Sequence, residues 1–445
     1  MTEDFRWNPY ADQPHNVAPK GERFRHHWKH ADSYLSMLFW NGLRTIPILS
    51  RYRRYRREMY VHPVKIEDPF AAAVSPAGER NEEVVKTLLA AGIRQALVRI
   101  PSWEQDSLEA HDDLIRRLGR EGVDVTLALL QRRADVLNPH GWETFLHAVF
   151  SRFADRCSAF EIGHAWNRTK WGVWDHQEYL RLAFPAVELA KQFNARLVGP
   201  AVIDFEFHLY PPVLRRVPFD IVSSFLYVDR MGAPENRQYG WDTSKKLALL
   251  KAVIDGCGQG KRDLWITEVN WPLEGTGKYS PASGKPNVSE KQQADYLVRY
   301  YILTLASGLV ERIFWWQLVA PGYGLIDNRP RQWRKRESFH ALKTLAAFIR
   351  GGIFEGRLEH SRARLFRFQN HGRSFVAAWT SESSFELTWP GKIVEIRSLT
   401  GKALPIRNGR IVISGSPQFI FTDDGDLKFD SAGPEWNSDP YDPKG

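Results

Sequence analysis

The chain has 445 residues, a net charge of +9 and 17 tryptophans, and its 43% of hydrophobic and 25% of charged residues are typical of a soluble globular protein with a large core. The two cysteines, Cys157 and Cys257, exclude a disulfide framework and a cysteine-based zinc site. No segment has the ~18 uninterrupted apolar residues that a membrane span needs, and the N-terminus lacks the basic and then apolar layout of a signal peptide, so we expect a cytoplasmic protein.

Residues 1–58 are predicted to form a basic and aromatic N-terminal extension. Residues 20–60 contain ten Lys or Arg and three Asp or Glu, a net charge of +7, and an apolar block at 34–40 precedes the basic run 51–57. This segment is too interrupted to cross a bilayer but can lie on one, with its cations on anionic headgroups. We therefore expect an anionic membrane surface or a glycolipid as a partner, at the inner face of the membrane; a solvated linker is the simpler alternative. No recognised nucleic-acid module accompanies the basic run, which argues against a nucleic-acid partner.

Eight apolar stretches alternate with helical patterns between residues 59 and 350. Near-continuous apolar strands separated by helices are typical of parallel strands buried on both faces. Eight such units fit an α/β fold, a (β/α)8 TIM barrel, whose usual size is ~250 residues. A doubly wound open sheet is the alternative. The predicted strands are 61–66, 95–100, 123–130, 159–164, 196–202, 220–227, 264–270 and 312–318.

From residue 351 the pattern changes to short alternating strands separated by Gly, Asn and Ser turns. This pattern predicts a small C-terminal antiparallel β-sandwich over residues 351–422. Residues 423–445 carry seven Asp or Glu and two Lys, and we expect them to form an acidic and mostly disordered tail.

Barrel enzymes place their chemistry at the carboxyl ends of the strands, and here those ends carry carboxylates, tryptophans, tyrosines and amides. Carboxylates act on glycosidic bonds, flat aromatic faces cover sugar rings, and amides bind hydroxyl groups. The sequence therefore predicts a carbohydrate substrate. Asn167, which follows strand four, is one candidate for binding it.

The segment LWITEVNW at residues 264–271 resembles the seventh-strand segment of the clan A retaining glycoside hydrolases, nearest the family-39 and family-5 types. The resemblance implies that Glu268 is the nucleophile and that Arg99 on strand two supports it. It also implies that Tyr227 on strand six lies near Glu268. Trp315 or Trp316 would form the floor of the sugar subsite. Because side chains alternate along a strand, one of them faces the interior and the other packs outward.

The resemblance fails at strand four, where the family carries Asn-Glu and the glutamate is the general acid/base. The segment EIGHA at residues 161–165 places His164 on the asparagine and Ala165 on the glutamate. Retaining hydrolysis needs a proton donor about 5–5.5 Å from the nucleophile. Three interpretations follow: the leaving group needs no protonation, the site binds sugar without cleaving it, or another group donates the proton. The candidate donors are His164, Asp204, Glu206 and Asp229.

The sequence thus predicts a glycosidase or transglycosylase, with Glu268 and His164 as catalytic candidates, that acts on a bacterial surface glycan or its lipid-linked precursor. The competing hypothesis is a non-catalytic carbohydrate-binding protein on a degenerate glycosidase barrel, an accessory of envelope polysaccharide assembly, and Ala165 is its main support. We expect no organic cofactor and no metal. Three histidines have helical spacing, but no carboxylate pattern joins them and their neighbours are cationic: His26, His27 and His30.

Overall fold

The computed structural model describes residues 5–16, 19–228, 231–257, 260–281, 287–406, 409–423 and 427–429. The N-terminal part is a hairpin followed by two helices. The hairpin strands β1 (Trp7–Asn8) and β2 (Gln13–Pro14) pair antiparallel, and the helices are α1 (Lys20–Lys29) and α2 (Ala31–Glu58). One face of α2 packs along the outside of the protein body. Most of the predicted acidic tail lies outside the described residues.

A closed ring of eight parallel strands forms the body of the protein. Each strand hydrogen-bonds to two neighbours, and the first strand closes the ring against the last. The predicted (β/α)8 barrel is therefore confirmed, and the open doubly wound sheet is wrong. After the short strand β3 (Val64–Lys65), the barrel strands are β4 (Phe70–Val74), β5 (Gln95–Pro101), β6 (Asp124–Leu130), β7 (Ala159–Ile162), β8 (Arg196–Ile203), β9 (Ile221–Phe225), β10 (Asp263–Val269) and β11 (Arg312–Trp315).

Helices cover the outside of the ring, and several of them begin with a side-chain cap: Asp175, Asp242 and Ser289 each accept a hydrogen bond from a backbone amide in the first turn. The helices are α3 (Asn81–Ala90), α4 (Leu108–Arg120), α5 (Arg133–Leu137), α6 (Pro139–Phe153), α7 (His176–Phe193), α8 (Tyr210–Leu214), α9 (Thr243–Gly256), α10 (Glu290–Ala306) and α11 (Glu337–Ile349). Short 3-10 helices lie at Gly78–Arg80, Ser102–Ser107, Thr169–Trp171, Phe207–Leu209 and Gly277–Tyr279.

The C-terminal part is antiparallel, as predicted. A seven-stranded sheet and a two-stranded sheet enclose a second apolar core, which confirms the small β-sandwich after the barrel. A further two-stranded ladder, β12 (Ile326–Asp327) with β13 (Arg334–Lys335), lies between the last barrel strand and α11. The C-terminal strands are β14 (Ile353–Leu358), β15 (Ala363–Asn370), β16 (Arg373–Thr380), β17 (Phe385–Thr388), β18 (Ile393–Ser398), β19 (Ala403–Leu404), β20 (Arg410–Ile413) and β21 (Gln418–Thr422).

The predicted first barrel strand, residues 61–66, is wrong. The barrel begins at β4, whose sequence FAAAV is fully buried but largely lacks the β-branched residues by which strands are recognised. Within 61–66 only Val64 and Lys65 form a strand, β3, which pairs with β14 at the edge of the C-terminal sheet. An edge strand tolerates the neighbouring Pro63, because its unpaired side needs no amide donor.

Glu161 lies inside the barrel, where it is 1% exposed. Its Oε1 accepts a hydrogen bond of 2.6 Å from Thr267 Oγ1 on β10, and because β7 and β10 are not neighbours in the ring, this bond crosses the interior. Burial raises the pKa of Glu161 to about 7, and the negative charge of Glu268 acts in the same direction. Below about pH 7 the folded protein therefore holds this carboxyl mainly as the neutral acid.

We expect Glu161→Gln to remove one pH-dependent contribution to stability. Because the folded pKa is near 7 and the unfolded value is near 4.5, the wild type has this contribution in full below about pH 4.5 and loses ~3 kcal/mol as the pH rises through 7. Glutamine stays neutral, so the variant should be more stable than the wild type at pH 8 and not at pH 4.5. Urea unfolding of both proteins at the two pH values measures this, and a difference that does not change with pH would contradict a neutral Glu161.

Candidate active site

Glu268 lies at the carboxyl end of β10 and faces a small cavity at the mouth of the barrel. Its Oε1 accepts a hydrogen bond of 2.6 Å from the Tyr227 hydroxyl, and its Oε2 accepts one from Arg99 Nη2. Burial raises the pKa of Glu268, while the positive charge of Arg99 and the Tyr227 hydroxyl oppose the rise. Both carboxylate oxygens are thus held in place, and the structure brings Glu268, Arg99 and Tyr227 together as the sequence predicts.

Arg99, at the end of β5, contacts four side chains of the site. Besides Glu268, its Nη2 donates to His164 Nε2 at 3.1 Å. Its Nη1 lies 3.1 Å from Asp12 Oδ2, and its guanidinium carbon is 3.2 Å from the centroid of the Trp316 ring. The guanidinium is 8% exposed, so these four partners replace most of its hydration.

His164 is a neutral acceptor in this arrangement. Because Nε2 accepts from Arg99, the ring proton resides on Nδ1. Burial lowers the pKa of His164 well below its usual value, and the charges of Arg99 and Lys170 add to the effect. The ring lies against Trp171 and Phe225, with centroids 4.2 and 4.6 Å away. An imidazole held in this way is not charged at neutral pH.

The remaining candidate proton donors lie elsewhere. Arg168 binds Asp204 Oδ2 at 2.6 Å and also binds Glu206. Neither carboxylate lines the cavity, whereas the methyl group of Ala165 does. Asp229 lies outside the described residues. Among the residues that the structure describes, the carboxylates lining the cavity are therefore those of Glu268 and Asp12.

A segment that the sequence did not connect with the site crosses the mouth of the barrel. We call residues 5–16, which contain the hairpin β1–β2, the strap. Gln13 Nε2 donates to the Pro281 carbonyl at 3.4 Å on one side of the mouth, and Gln13 Oε1 accepts from Lys170 on the other. Asp12, at a left-handed turn with φ of 51°, reaches Arg99 between them.

Aromatic rings fix the rest of the strap. Trp7 packs against Trp103 and Trp171, with ring centroids 5.1 and 6.0 Å apart, and Tyr10 packs edge-on against Tyr279 at 5.2 Å. These partners follow barrel strands β5, β7 and β10, so the strap contacts the mouth on several sides. Burial raises the pKa of the Asp12 carboxyl, and the positive charge of Arg99 opposes this rise.

The strap leaves little room in the site. The cavity beside Glu268 has a volume of about 90 Å³, whereas pockets that enclose small-molecule ligands usually measure ~300–1,000 Å³. Ala11, Asp12 and Gln13 form one of its walls. A sugar ring can occupy this place only after the strap moves.

Two predicted sugar-binding residues do not reach the cavity. The amide of Asn167 is used by the backbone of Ile203, as donor at 2.9 Å and as acceptor at 3.0 Å. Trp315 packs outward against Trp271, while Trp316 lines the cavity, as the alternation along a strand requires. The cavity is also lined by Asn270, two residues after Glu268 in the LWITEVNW segment, and by Lys170, for which the sequence offered no signal.

Among the described residues, one group of side chains could hold a metal ion: His26, His30 and Asp175. Asp175 is the carboxylate that the sequence pattern did not join to the histidines, and its Oδ2 lies 2.6 Å from His26 Nε2. This direct hydrogen bond accounts for the contact without an ion. The group lies where α1 packs against the start of α7, and its residues do not line the cavity of Glu268.

Solved structures share this architecture. A family 39 glycoside hydrolase from the gut symbiont Bacteroides cellulosilyticus WH2 matches with a TM-score of 0.63 at 15% identity, over 80% of this chain and 81% of the other. A family 30 endoxylanase from Clostridium papyrosolvens C71 matches with a TM-score of 0.56 at 13% identity, over 82% of this chain and 98% of the other. A family 51 arabinofuranosidase from Xanthomonas axonopodis pv. citri matches with a TM-score of 0.51 at 11% identity, over 82% of this chain and 100% of the other.

No family model matches the sequence, and no curated protein matches it. The structural matches confirm the predicted resemblance to clan A glycoside hydrolases at the level of the fold. Identities this low carry the fold and not the reaction, because one fold hosts many functions.

We expect Arg99→Met to destabilise the protein by about 3–5 kcal/mol, because it leaves the buried carboxylate of Glu268 and the partly buried carboxylate of Asp12 without their shared cation. In an Asp12→Ala background the same substitution should cost at least ~1 kcal/mol less, because only Glu268 then remains unpaired. Denaturant unfolding of the four proteins of this double-mutant cycle measures the coupling. A matched cycle with Asp204→Ala, whose carboxylate pairs with Arg168, should show none. Equal couplings in the two cycles would contradict the contact between the strap and Arg99.

Proposed function

We propose that the chain is a retaining glycosidase or transglycosylase in which Glu268 is the nucleophile. The observation that carries the proposal is the carboxylate of Glu268 at the barrel mouth, with one oxygen bound by Tyr227 and the other by Arg99. Two donors on one carboxylate favour its ionised form and fix the direction of its lone pairs. A nucleophile of this class attacks the anomeric carbon of a sugar and forms a covalent glycosyl ester.

Movement of the strap would act on this nucleophile in two ways. It would open the place beside Glu268 that Asp12 and Gln13 occupy. It would also remove a negative neighbour, because the charge of Asp12 is one of the causes that raise the pKa of Glu268. The carboxylate would then be both accessible and more readily ionised.

The absence of a carboxyl group at Ala165 restricts the bond that can be cleaved. In our proposal the bond from the anomeric carbon to the leaving oxygen breaks with its electrons on that oxygen, and the leaving group departs as a stable anion without a proton. A phosphate-linked glycan has such a leaving group. Lys170 lines the cavity and supplies positive charge beside it. A bacterial surface glycan in the form of its lipid-linked precursor fits this requirement.

In the second half of the reaction solvent takes the place of the missing general base. Water or an acceptor hydroxyl attacks the anomeric carbon, the ester bond to Glu268 breaks, and the proton of the acceptor passes to solvent. His164 has a positioning role in this scheme, because its neutral ring accepts from Arg99 and so orients the guanidinium that holds Glu268.

A carbohydrate-binding protein without turnover is the second candidate function. Ala165 favours this candidate as well, because the general acid/base glutamate of the glycoside hydrolases that the chain resembles is missing at this position. The two candidates differ in their response to Glu268→Gln. A binding protein keeps its affinity for oligosaccharides after this substitution and shows no turnover before it, whereas an enzyme loses turnover.

We expect activated 2-fluoro glycosyl fluorides, whose leaving group needs no acid, to label Glu268 covalently. Mass spectrometry of the peptides should find the sugar on the segment 264–271, and Glu268→Gln should abolish the label. Glu161→Gln, which changes a carboxyl buried in the same barrel, is the matched control and should keep it. Labelling should be faster in an Asp12→Ala, Gln13→Ala variant, because the strap is weakened. A label on a different residue would overturn the assignment of Glu268.

We also expect sodium azide to accelerate turnover of an aryl glycoside that has an acidic phenol as its leaving group. Azide is a nucleophile that needs no general base, so it should intercept the glycosyl ester faster than water does in a site without an acid/base carboxylate. The product should be a glycosyl azide of retained configuration, measured by chromatography and NMR. Sodium chloride at the same concentration is the control. Turnover that is already fast and indifferent to azide would mean that another residue replaces the missing glutamate.

A further inference from the structure

The helix α2 packs on the barrel through one face only. Met37 and Ile48 are buried against the body of the protein, and the Tyr55 hydroxyl binds Asp255 at the end of α9. Asn41 donates to the His208 carbonyl at 3.0 Å. Ile48 lies so close to Gly256 that a Cβ there would be 2.8 Å from it. This face therefore attaches the N-terminal helices firmly to the barrel.

The opposite face of α2 is apolar and exposed. Its large side chains are between 45% and 80% exposed, and they recur at positions i, i+3, i+4, i+8, i+11 and i+14, which fall on one side of a helix. In α1, Phe24 and Trp28 are exposed by 64% and 69%. Eight of the 19 exposed large hydrophobic side chains among the described residues thus lie on these two helices. We call this surface the docking face: Phe24, Trp28, Leu35, Leu38, Phe39, Leu43, Ile46 and Leu49.

Cations border the docking face. Arg53 and Arg57 are exposed and follow Leu49 by four and eight residues, so they continue the same side of α2. Four further exposed cations lie on α1, and the exposed acids of the two helices are Asp32 and Glu58. The cations of α1 are Lys20, Arg23, Arg25 and Lys29.

We propose that the docking face binds to the surface of an anionic lipid bilayer. Its apolar side chains enter the boundary between headgroups and acyl chains, and its cations contact anionic headgroups. Because the other face of α2 is packed on the barrel, α2 lies along the surface of the bilayer in this proposal. Among the described residues, no helix is long and apolar enough to cross a membrane. A second copy of this chain is the less suitable occupant, because a symmetric pair would bring like-charged helices together.

The position of the two helices sets the orientation of the docked protein. α1 lies at the mouth of the barrel, because His26 binds Asp175, which caps the start of the helix that follows β7. α2 then runs toward the opposite end, where Tyr55 meets Asp255. The protein therefore rests on its side, with the barrel mouth beside the bilayer. This inference does not depend on the reaction proposed for Glu268.

The test uses the full chain and sedimentation with vesicles of phosphatidylcholine, with or without phosphatidylglycerol. We expect binding to the anionic vesicles at 0.1 M salt, and at least a tenfold loss of the partition coefficient on Leu35→Ser, Phe39→Ser, Ile46→Ser. Val394→Ser, Ile406→Ser, Val412→Ser, which removes exposed apolar side chains from the C-terminal sheets, should bind like the wild type. Arg53→Gln, Arg57→Gln and 1 M salt should each weaken binding, because screening shortens the reach of charge from ~10 to ~3 Å.

The two triple variants alter exposed side chains, and their thermal unfolding should match the wild type. Equal partitioning of the docking-face variant and the wild type would overturn the proposal, as would binding indifferent to phosphatidylglycerol. A wild-type dimer in solution that Leu35→Ser, Phe39→Ser, Ile46→Ser converts to a monomer, with no vesicle binding, would overturn it in favour of a second copy.

Discussion

The guanidinium of Arg99 is the group on which the arrangement of the site depends. It is nearly buried, yet it joins side chains from four separate parts of the chain: the strap, the segment after β7, β10 and the segment after β11. A buried cation must be compensated by opposite charge and hydrogen bonds, since its transfer from water is costly. Each part of the chain supplies some of that compensation. Arg99 therefore helps to hold Glu268 and the strap in place, and its charge adds to the burial that keeps His164 neutral.

Local sequence patterns predicted the parts of the fold that local physics determines. Apolar strands separated by amphipathic helices indicated the barrel, and the strand ends indicated that Glu268, Arg99 and Tyr227 share one mouth. The first strand was missed because FAAAV is buried through small side chains that carry little strand preference. Asn167 was predicted to bind sugar because an amide near a strand end can bind either a ligand hydroxyl or the protein backbone. Only the structure shows that its partner is the backbone of Ile203.

The strap could not be predicted, because nothing near Asp12 in the sequence specifies an arginine 87 residues away. With the strap in place, the site beside Glu268 is nearly filled. In a protein that must open before it binds, the apparent affinity for a ligand is the intrinsic affinity reduced by the fraction of open molecules. Each contact that holds the strap lowers that fraction: the hydrogen bonds of Asp12 and Gln13 and the aromatic packing of Trp7 and Tyr10.

The contacts of the strap also have a consequence for the order in which the molecule is assembled on the ribosome. Asp12 Oδ2 meets Gln317 Nε2, and 305 positions of the chain separate the two residues. Domains fold as units while the chain is made from its N-terminal end, and contacts between distant residues form late because a long loop must close first. The aromatic strap is therefore synthesised well before its final partners after β10 and β11 exist. During that interval Trp7 and Tyr10 have no barrel to cover, and their rings are open to other contacts.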